Sequence, residues 1–333
     1  MKSVLKDTLR FRRPPGSAAV ACVDIGGTKV AVSIADEQGL RAQVVEPTAK
    51  SGPNSALADQ ISRMVDQSAR VAGVVRGDMG AIGVSSCGPF VLNDGLLELA
   101  APNICGGLAG PARGLPNDWQ SAPLEGPLRQ AFAQVRVEND GIGALEAERR
   151  WGALNVNGQP LAHCAFVTWS TGIGMGLCVD GHVLRGKNGN AGHGGHMFVT
   201  DNDDALCGCG NVGDLEALVA GNAIPRRFTA TGFVDAAALL NSAKTGNVQA
   251  LAILDELCRV MGRGLYNLVV TLDLQRISLG GSVYWHNRDF LLPRLQQQVQ
   301  GKMPALTQGC ELVSAGLGER VGDYAALALV ADL

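Results

Sequence analysis

An acid, two glycines, a threonine and a lysine interrupt an apolar run at Asp24-Ile25-Gly26-Gly27-Thr28-Lys29. Glycines here allow close backbone approach, so amide N–H groups can be aimed at an anion. Thr28 and Lys29 add donors, and Asp24 can hold a hydrated cation. The same hexad also makes an ordinary glycine hairpin with a surface lysine. A second interruption, Ser170-Thr171-Gly172-Ile173-Gly174, lies about 145 residues farther along. Between the two, Glu138-Asn139-Asp140 offers a carboxylate that suits either a general base or a solvated helix cap. His193 and His196 alone read as polar residues of a glycine-rich turn, but Cys207 and Cys209 follow eleven and thirteen residues after His196 and add two sulfur donors. Glu216 fits a helix N-terminal acid favoured by the dipole as well as a ligand contact.

These residues need elements to hold them. Apolar runs on both sides of Asp24–Lys29 read as strands, with a third at 43–46, and helical spacing of Leu57, Ile61, Met64, Val65 and Ala69 predicts a helix over 55–75. A short strand at 81–85 runs into Ser86-Cys87-Gly88-Pro89, placed where an open α/β sheet presents ligand contacts, which makes Gly88 a candidate. Residues 93–123 read as a long loop with Pro102, Pro111, Pro116 and Pro123, in which Trp119 is either a lid or an anchor. A strand at 135–141 followed by a helix at 142–151 puts Asp140 at a strand-to-helix junction. Strand, glycine turn and strand recur over 164–185, which points to a duplicated domain. A helix over 251–273 leads to a strand ending in a third glycine turn, Gly280-Gly281-Ser282, and 321–333 reads as a terminal helix. The expected organisation is a flexible basic tail at 1–18, an α/β lobe at 19–140 joined by 321–333, and a second α/β lobe at 141–320.

Composition narrows the function classes. The chain has 333 residues, enough to bury a large core in two domains. Its 28 basic and 31 acidic residues give a net charge of −3, which disfavours binding to nucleic acid or an anionic membrane. Nine cysteines without framework spacing fit a reduced, cytoplasmic protein, and Cys22, Cys87, Cys105, Cys164, Cys178, Cys258 and Cys310 read as small packing residues. No apolar run approaches the roughly 18 residues of a membrane span, and the start lacks a signal-peptide core.

Taken in order, Asp24–Lys29, Glu138-Asn139-Asp140, Ser170–Gly174, Gly192-His193-Gly-Gly-His196-Met, Cys207-Gly-Cys209-Gly-Asn-Val-Gly-Asp214-Leu-Glu216 and Leu279-Gly280-Gly281 resemble the motifs of the ROK family of sugar kinases and repressors. The resemblance covers 19–333. It implies the two-lobed actin-like, hexokinase-type ATPase fold, related to ribonuclease H, with sugar and ATP meeting in a cleft. By position, Asp24, Gly26, Gly27, Thr28 and Lys29 would form the first phosphate loop and Ser170, Thr171 and Gly172 the second. Gly280, Gly281 and Ser282 would lie near the adenosine. Asn103, Asn139, Asp140, His193, His196 and Glu216 would face the sugar, with Asp140 as the catalytic base. His196, Cys207 and Cys209 match zinc ligands. Here the chain departs from the family twice: His193 stands where a glutamate is usual, and Asp214 stands where a third cysteine is usual, so zinc would be held by His196, Cys207, Cys209 and Asp214, a donor set zinc accepts.

The expected chemistry is phosphoryl transfer, in which a protein chiefly positions groups and neutralises charge. Glycine loops and Mg²⁺ hold the ATP phosphates while Asp140 takes the proton of a sugar hydroxyl, the 6-hydroxyl of a hexose such as glucose. Replacing a glutamate by His193 removes a negative charge, and His193 then reads as a sugar contact, a support for one, or a neutral filler. That opens a second reading, a kinase for an amino sugar of the kanosamine, glucosamine or N-acylhexosamine type or for a C7-cyclitol. A homodimer is expected from the resemblance. A sugar-sensing repressor is disfavoured because about eighteen residues precede the first strand, too few for a helix-turn-helix domain. An actin-like module without sugar turnover would account for the glycine loops but not for the Glu138–Asp140 and Cys207–Cys209 segments.

Overall fold

The computed structural model describes residues 11–108, 114–201 and 205–333. Lys2, Lys6 and Arg10 of the expected basic tail, and Pro111, lie outside the described residues. Contacts divide the chain into two compact units, one of Met1–Ala147, Arg185–Ala191 and Gly322–Leu333, the other of Glu148–Leu184 and Gly192–Val321.

The first unit is built on β1 (Ala19–Ile25), β2 (Lys29–Asp36), β3 (Gly39–Pro47), α1 (Ala56–Ala72), β4 (Met79–Ser86), β5 (Phe90–Asn93), β6 (Leu96–Leu99), β7 (Ala122–Pro123), α2 (Glu125–Ala131), β8 (Gln134–Asn139) and the start of α3 (Asp140–Trp151). Its main sheet has the order β3-β2-β1-β4-β8. β1, β2 and β3 pair antiparallel, while β1, β4 and β8 run parallel with Ile25, Ser86 and Asn139 in one row. The residues just past that row are Gly26, Cys87 and Asp140, so the parallel strands deliver the candidate groups at their carboxyl ends, where open α/β sheets bind ligands. α1 covers the sheet with Leu57, Ile61, Met64 and Val65, all fully buried, against Val23, Val32 and Ile34. It stops at Gly73, whose φ of 69° is the left-handed conformation that closes a helix.

Part of the loop expected at 93–123 is ordered as strands. β5, β6 and β7 form an antiparallel meander, with β5 and β6 joined by Asp94-Gly95, at φ 50° and 76°. Two positive φ values are what a tight hairpin turn requires, and an Asp-Gly pair supplies them. Trp119 is an anchor: it is buried, and its Nε1 donates to Gly52 O at 3.0 Å.

The second unit holds β9 (Asn155–Val156), β10 (Gln159–Pro160), β11 (Cys164–Trp169), β12 (Ile173–Val179), β13 (His182–Val183), α4 (Leu215–Val219), α5 (Ile224–Arg227), α6 (Ala236–Lys244), α7 (Val248–Leu272), β14 (Arg276–Gly280), α8 (Ser282–Trp285), α9 (Arg288–Val299), α10 (Pro304–Thr307) and β15 (Glu311–Ser314), before α11 (Val321–Ala328) leads back into the first. Its sheet order, β13-β12-β11-β14-β15, repeats the first unit's pattern of two antiparallel and two parallel pairings. Duplication is thus visible strand by strand. The buried face of the 25-residue α7, including Leu254, Leu257, Met261 and Leu265, forms the middle of this unit's core. Of the seven cysteines expected in packing, Cys22, Cys105, Cys164, Cys178 and Cys258 are buried, and Cys87 and Cys310 are half-buried. Among the described residues no helix is long and apolar enough to cross a membrane.

Candidate functional site

In the first unit the hexad closes the β1–β2 hairpin. Gly26 N–H donates to Lys29 O at 2.9 Å, and the Thr48 hydroxyl clamps Gly26 O at 2.7 Å. Thr28 and Lys29 are exposed at the tip. Gly27 admits no side chain, because a Cβ there would run into the Asn103 amide. Asn103 thereby lies against the first glycine turn. Its loop is fixed by Asn117, whose Oδ1 accepts from Gly106 N at 2.7 Å and whose Nδ2 donates to Ile104 O at 3.0 Å and to Lys50 O at 2.9 Å.

Asn139 is buried at the end of β8 and accepts from Gly141 N at 3.0 Å. Asp140 opens α3, exposed, with Oδ1 accepting from Gly141 N at 2.8 Å. Both readings of Asp140 therefore meet in one residue: it sits at a helix start, and its exposed carboxylate is available to a ligand. Asp24 points into the same neighbourhood. Burial pushes its carboxyl up to about 7, the charge of Asp140 and of Asp323 adding to the shift and Lys29 opposing it. Cys87, which precedes Gly88, is likewise pushed up to about 12, by burial and then by the charges of Asp140 and Asp24. One step back along β8, Glu138 is buried and paired to Arg185, which also lies 3.6 Å from Glu146. Burial still raises its carboxyl despite that partner.

Asp323 and Arg185 were not singled out from the sequence. Asp323 lies in a segment that reads only as an apolar terminal helix, and Arg185 follows a short strand with nothing to mark its partner. The electrostatic neighbourhood of Asp24 comes from chain segments about 300 residues apart.

In the second unit the turn Ser170–Gly172 closes the β11–β12 hairpin, with Ser170 N–H donating to Gly172 O at 3.0 Å. The Ser170 hydroxyl is 3.1 Å from that of Ser282, which joins this turn to Gly280–Ser282 at the end of β14. Gly281 has φ 88°, and a Cβ there would stand 2.5 Å from Trp169 O, so glycine is required.

The histidines and cysteines form a cluster in the same unit. His196 Nδ1 is 3.2 Å from Asp214 Oδ2 and 3.6 Å from Cys207 Sγ, and Cys209 Sγ is 3.5 Å from the same Asp214 oxygen. The four ligand atoms lie within 4.8 Å of one another. Tetrahedral zinc with ordinary bond lengths sets sulfur and nitrogen about 3.5 Å apart, sulfur and oxygen about 3.5 Å, and nitrogen and oxygen about 3.3 Å. The donor set fits zinc on that ground. Asp214 has two tasks, because its other oxygen accepts from Ala217 N at 2.7 Å and caps α4. Its carboxylate is held low: burial opposes ionisation, and the hydrogen bonds from His196, Ala217 N and the two thiols outweigh it. The His196 imidazole is raised, first by the hydrogen bond to Asp214. The His193 ring lies 6.3 Å from that of His196. Glu216 turns toward the second glycine turn, with Oε2 accepting from Ile173 N at 2.9 Å.

The ROK family model matches residues 20–332. The chain belongs to the ROK family. Glucokinase of Aeropyrum pernix is 28% identical over 94% of this chain and 96% of its own length. N-acetylmannosamine kinase of Salmonella newport is 30% identical over 78% and 82%. Among solved structures, the ROK hexokinase of Thermus thermophilus has a TM-score of 0.72 at 31% identity, covering 94% of this chain and 97% of that one. The ROK glucokinase of Streptomyces griseus, solved with glucose and AMPPNP, has a TM-score of 0.66 at 26% identity, over 94% and 99%. This ROK-family chain is accordingly a sugar kinase with the duplicated actin-like ATPase fold. It shares that fold with a ROK transcriptional regulator at 19% identity and a TM-score of 0.75.

Proposed function

We propose that this enzyme transfers the γ-phosphoryl group of ATP to the 6-hydroxyl of a hexose such as glucose, in the cytoplasm, where its nine free cysteines stay reduced. The observation that carries the reading is the row at the carboxyl ends of β1, β4 and β8. It places the glycine turn, Gly88 and the exposed Asp140 side by side, with the Asn103 amide against Gly27. Asp140 accepts the proton of the attacking hydroxyl as its oxygen bonds to the γ-phosphorus and the bond to the β-phosphate oxygen breaks, leaving ADP and a sugar phosphate. Asn103 and Asn139 orient the sugar. Backbone N–H groups of 26–28 and of 170–172, with Thr28 and Lys29, each donate to the phosphates, and Gly280–Ser282 accepts the nucleoside end. Mg²⁺ bound with ATP would neutralise phosphate charge, and Asp24 would hold it through water. Zinc would be held by His196, Cys207, Cys209 and Asp214, where it braces the loop between β13 and α4.

A second reading has its own support. His193 offers a neutral imidazole where a carboxylate would accept from sugar hydroxyls, and relatives 30% identical act on N-acetylmannosamine. An amino sugar, its N-acyl derivative or a cyclitol is then the acceptor. A panel of glucose, mannose, glucosamine, kanosamine, N-acetylmannosamine and a C7-cyclitol with ATP separates the two. Highest kcat/KM on glucose supports the first reading, and highest kcat/KM on an amino sugar or cyclitol replaces it with the second.

A further inference from the structure

We propose that Glu216 is a positioning residue for the Ser170–Gly172 turn, holding it in its nucleotide-binding shape and tying it to the His196–Cys207–Cys209–Asp214 cluster. This rests on the reading of that turn as a cradle for the ATP phosphates. Both oxygens of Glu216 are engaged inside the second unit: Oε2 accepts from Ile173 N at 2.9 Å, and Oε1 lies 3.9 Å from Cys207 Sγ. The carboxylate fills the space a side chain at 172 would need, since a Cβ on Gly172 would stand 2.8 Å from Oε2.

Helix α4, which carries Glu216, grips the turn from its other end as well. Gly221 N–H donates to Ser170 O at 2.8 Å and Asn222 N–H to Thr171 O at 3.3 Å. The carbonyls of the turn are therefore occupied. Among the described residues, the N–H groups of Thr171 and Gly172 donate to no protein acceptor, which leaves them for an anion. The start of α4 is fixed in turn by Asp214, whose Oδ1 caps Ala217 N while Oδ2 belongs to the cluster. A continuous path thus runs from the cluster through Asp214, α4 and Glu216 to the turn. The role that position suggests for Glu216, a sugar contact, makes the opposite forecast.

Calorimetric titration of the full chain with Mg²⁺-AMPPNP, and separately with the best acceptor from the panel, decides between them. Glu216→Ala is expected to weaken AMPPNP binding about tenfold, the cost of one charge-assisted hydrogen bond, and to leave acceptor affinity unchanged. Glu216→Gln keeps an acceptor for Ile173 N and restores binding to within about threefold of the parent. Unchanged AMPPNP affinity in Glu216→Ala, or a loss confined to the acceptor, overturns the proposal. Gly172→Val tests the reading beneath it, because a side chain there must displace Glu216. If Gly172→Val binds AMPPNP as the parent does, the turn is not the phosphate cradle; if it binds weakly while Glu216→Ala binds normally, only the role of Glu216 falls. Chelator treatment, checked by metal content, is expected to weaken AMPPNP binding in the parent and to add little in Glu216→Ala. Equal losses in both break the tie to the cluster.

Discussion

The two glycine turns occupy equivalent places in two sheets of the same strand order, yet they are supported by different means. The first is held by Thr48 and faced by the Asn103 amide and the carboxylates Asp24 and Asp140. The second is gripped by a short helix whose start is fixed by a metal-type cluster. The strand ends differ in the same sense. β8 of the first sheet is followed by Asp140, whereas β15, its counterpart in the second, is followed by Ala315, whose N–H donates to Leu279 O at 2.8 Å. One copy of the fold therefore carries an acid for chemistry, and the other carries backbone and braces. Duplication supplied two cradles, and a few side chains at equivalent positions divided the labour between them.

The contrast makes several forecasts. Its largest is for Asp140→Asn: turnover falls by about 10²–10⁴-fold, the usual worth of a general base, while AMPPNP and acceptor affinities stay near those of the parent. Steady-state kinetics beside calorimetry checks this. In the second unit Gly281→Ala should act through shape. A φ of 88° and the close approach to Trp169 O cost at least about 1–3 kcal/mol of stability, read as a lowered denaturation midpoint together with weaker nucleotide binding.

Asp24→Asn tests the crowding of carboxylates in the first unit. Because the folded protein holds the Asp24 proton up to about pH 7 and the unfolded chain releases it near pH 4, the folded state binds more protons between those values and the parent loses stability as pH rises through that window. The asparagine variant should therefore melt above the parent at pH 8 without Mg²⁺ and level with it near pH 3.5, by thermal scans at both values. The smallest effect is expected for Trp119→Phe, which removes one hydrogen bond to Gly52 O in the anchor of the Asn103 loop. A loss of about 1 kcal/mol by chemical denaturation, with unchanged kcat, is the expected outcome.

Much of this contrast could be read from residues alone. Alternating apolar residues broken by glycines marked both hairpins, and the polar tail of β8 placed Asp140 at its junction, because these are local patterns with a period of two. The strands of 90–123 were less visible. They are short and scattered among prolines and glycines, and only Asp94-Gly95 announced the hairpin. α9 hides Pro293 in its interior, a residue that ordinarily argues against a helix. The supports of the site were out of reach for a different reason: Asn117 to Lys50, Glu216 to Ile173 and Asp323 near Asp24 join residues far apart in the chain, and no local pattern encodes such pairings. Within the cluster, residue types and spacing named His196, Cys207 and Cys209, but only the fold shows Asp214 acting as both donor and helix cap.

The central claim is that the two cradles serve transfer to a sugar hydroxyl. Incubating the purified protein with ATP, Mg²⁺ and glucose and following the products by phosphorus NMR tests it most directly. Formation of ADP and a hexose 6-phosphate in equal amounts is the predicted result. ADP and inorganic phosphate with no sugar phosphate, for glucose and for every other acceptor of the panel, would contradict it.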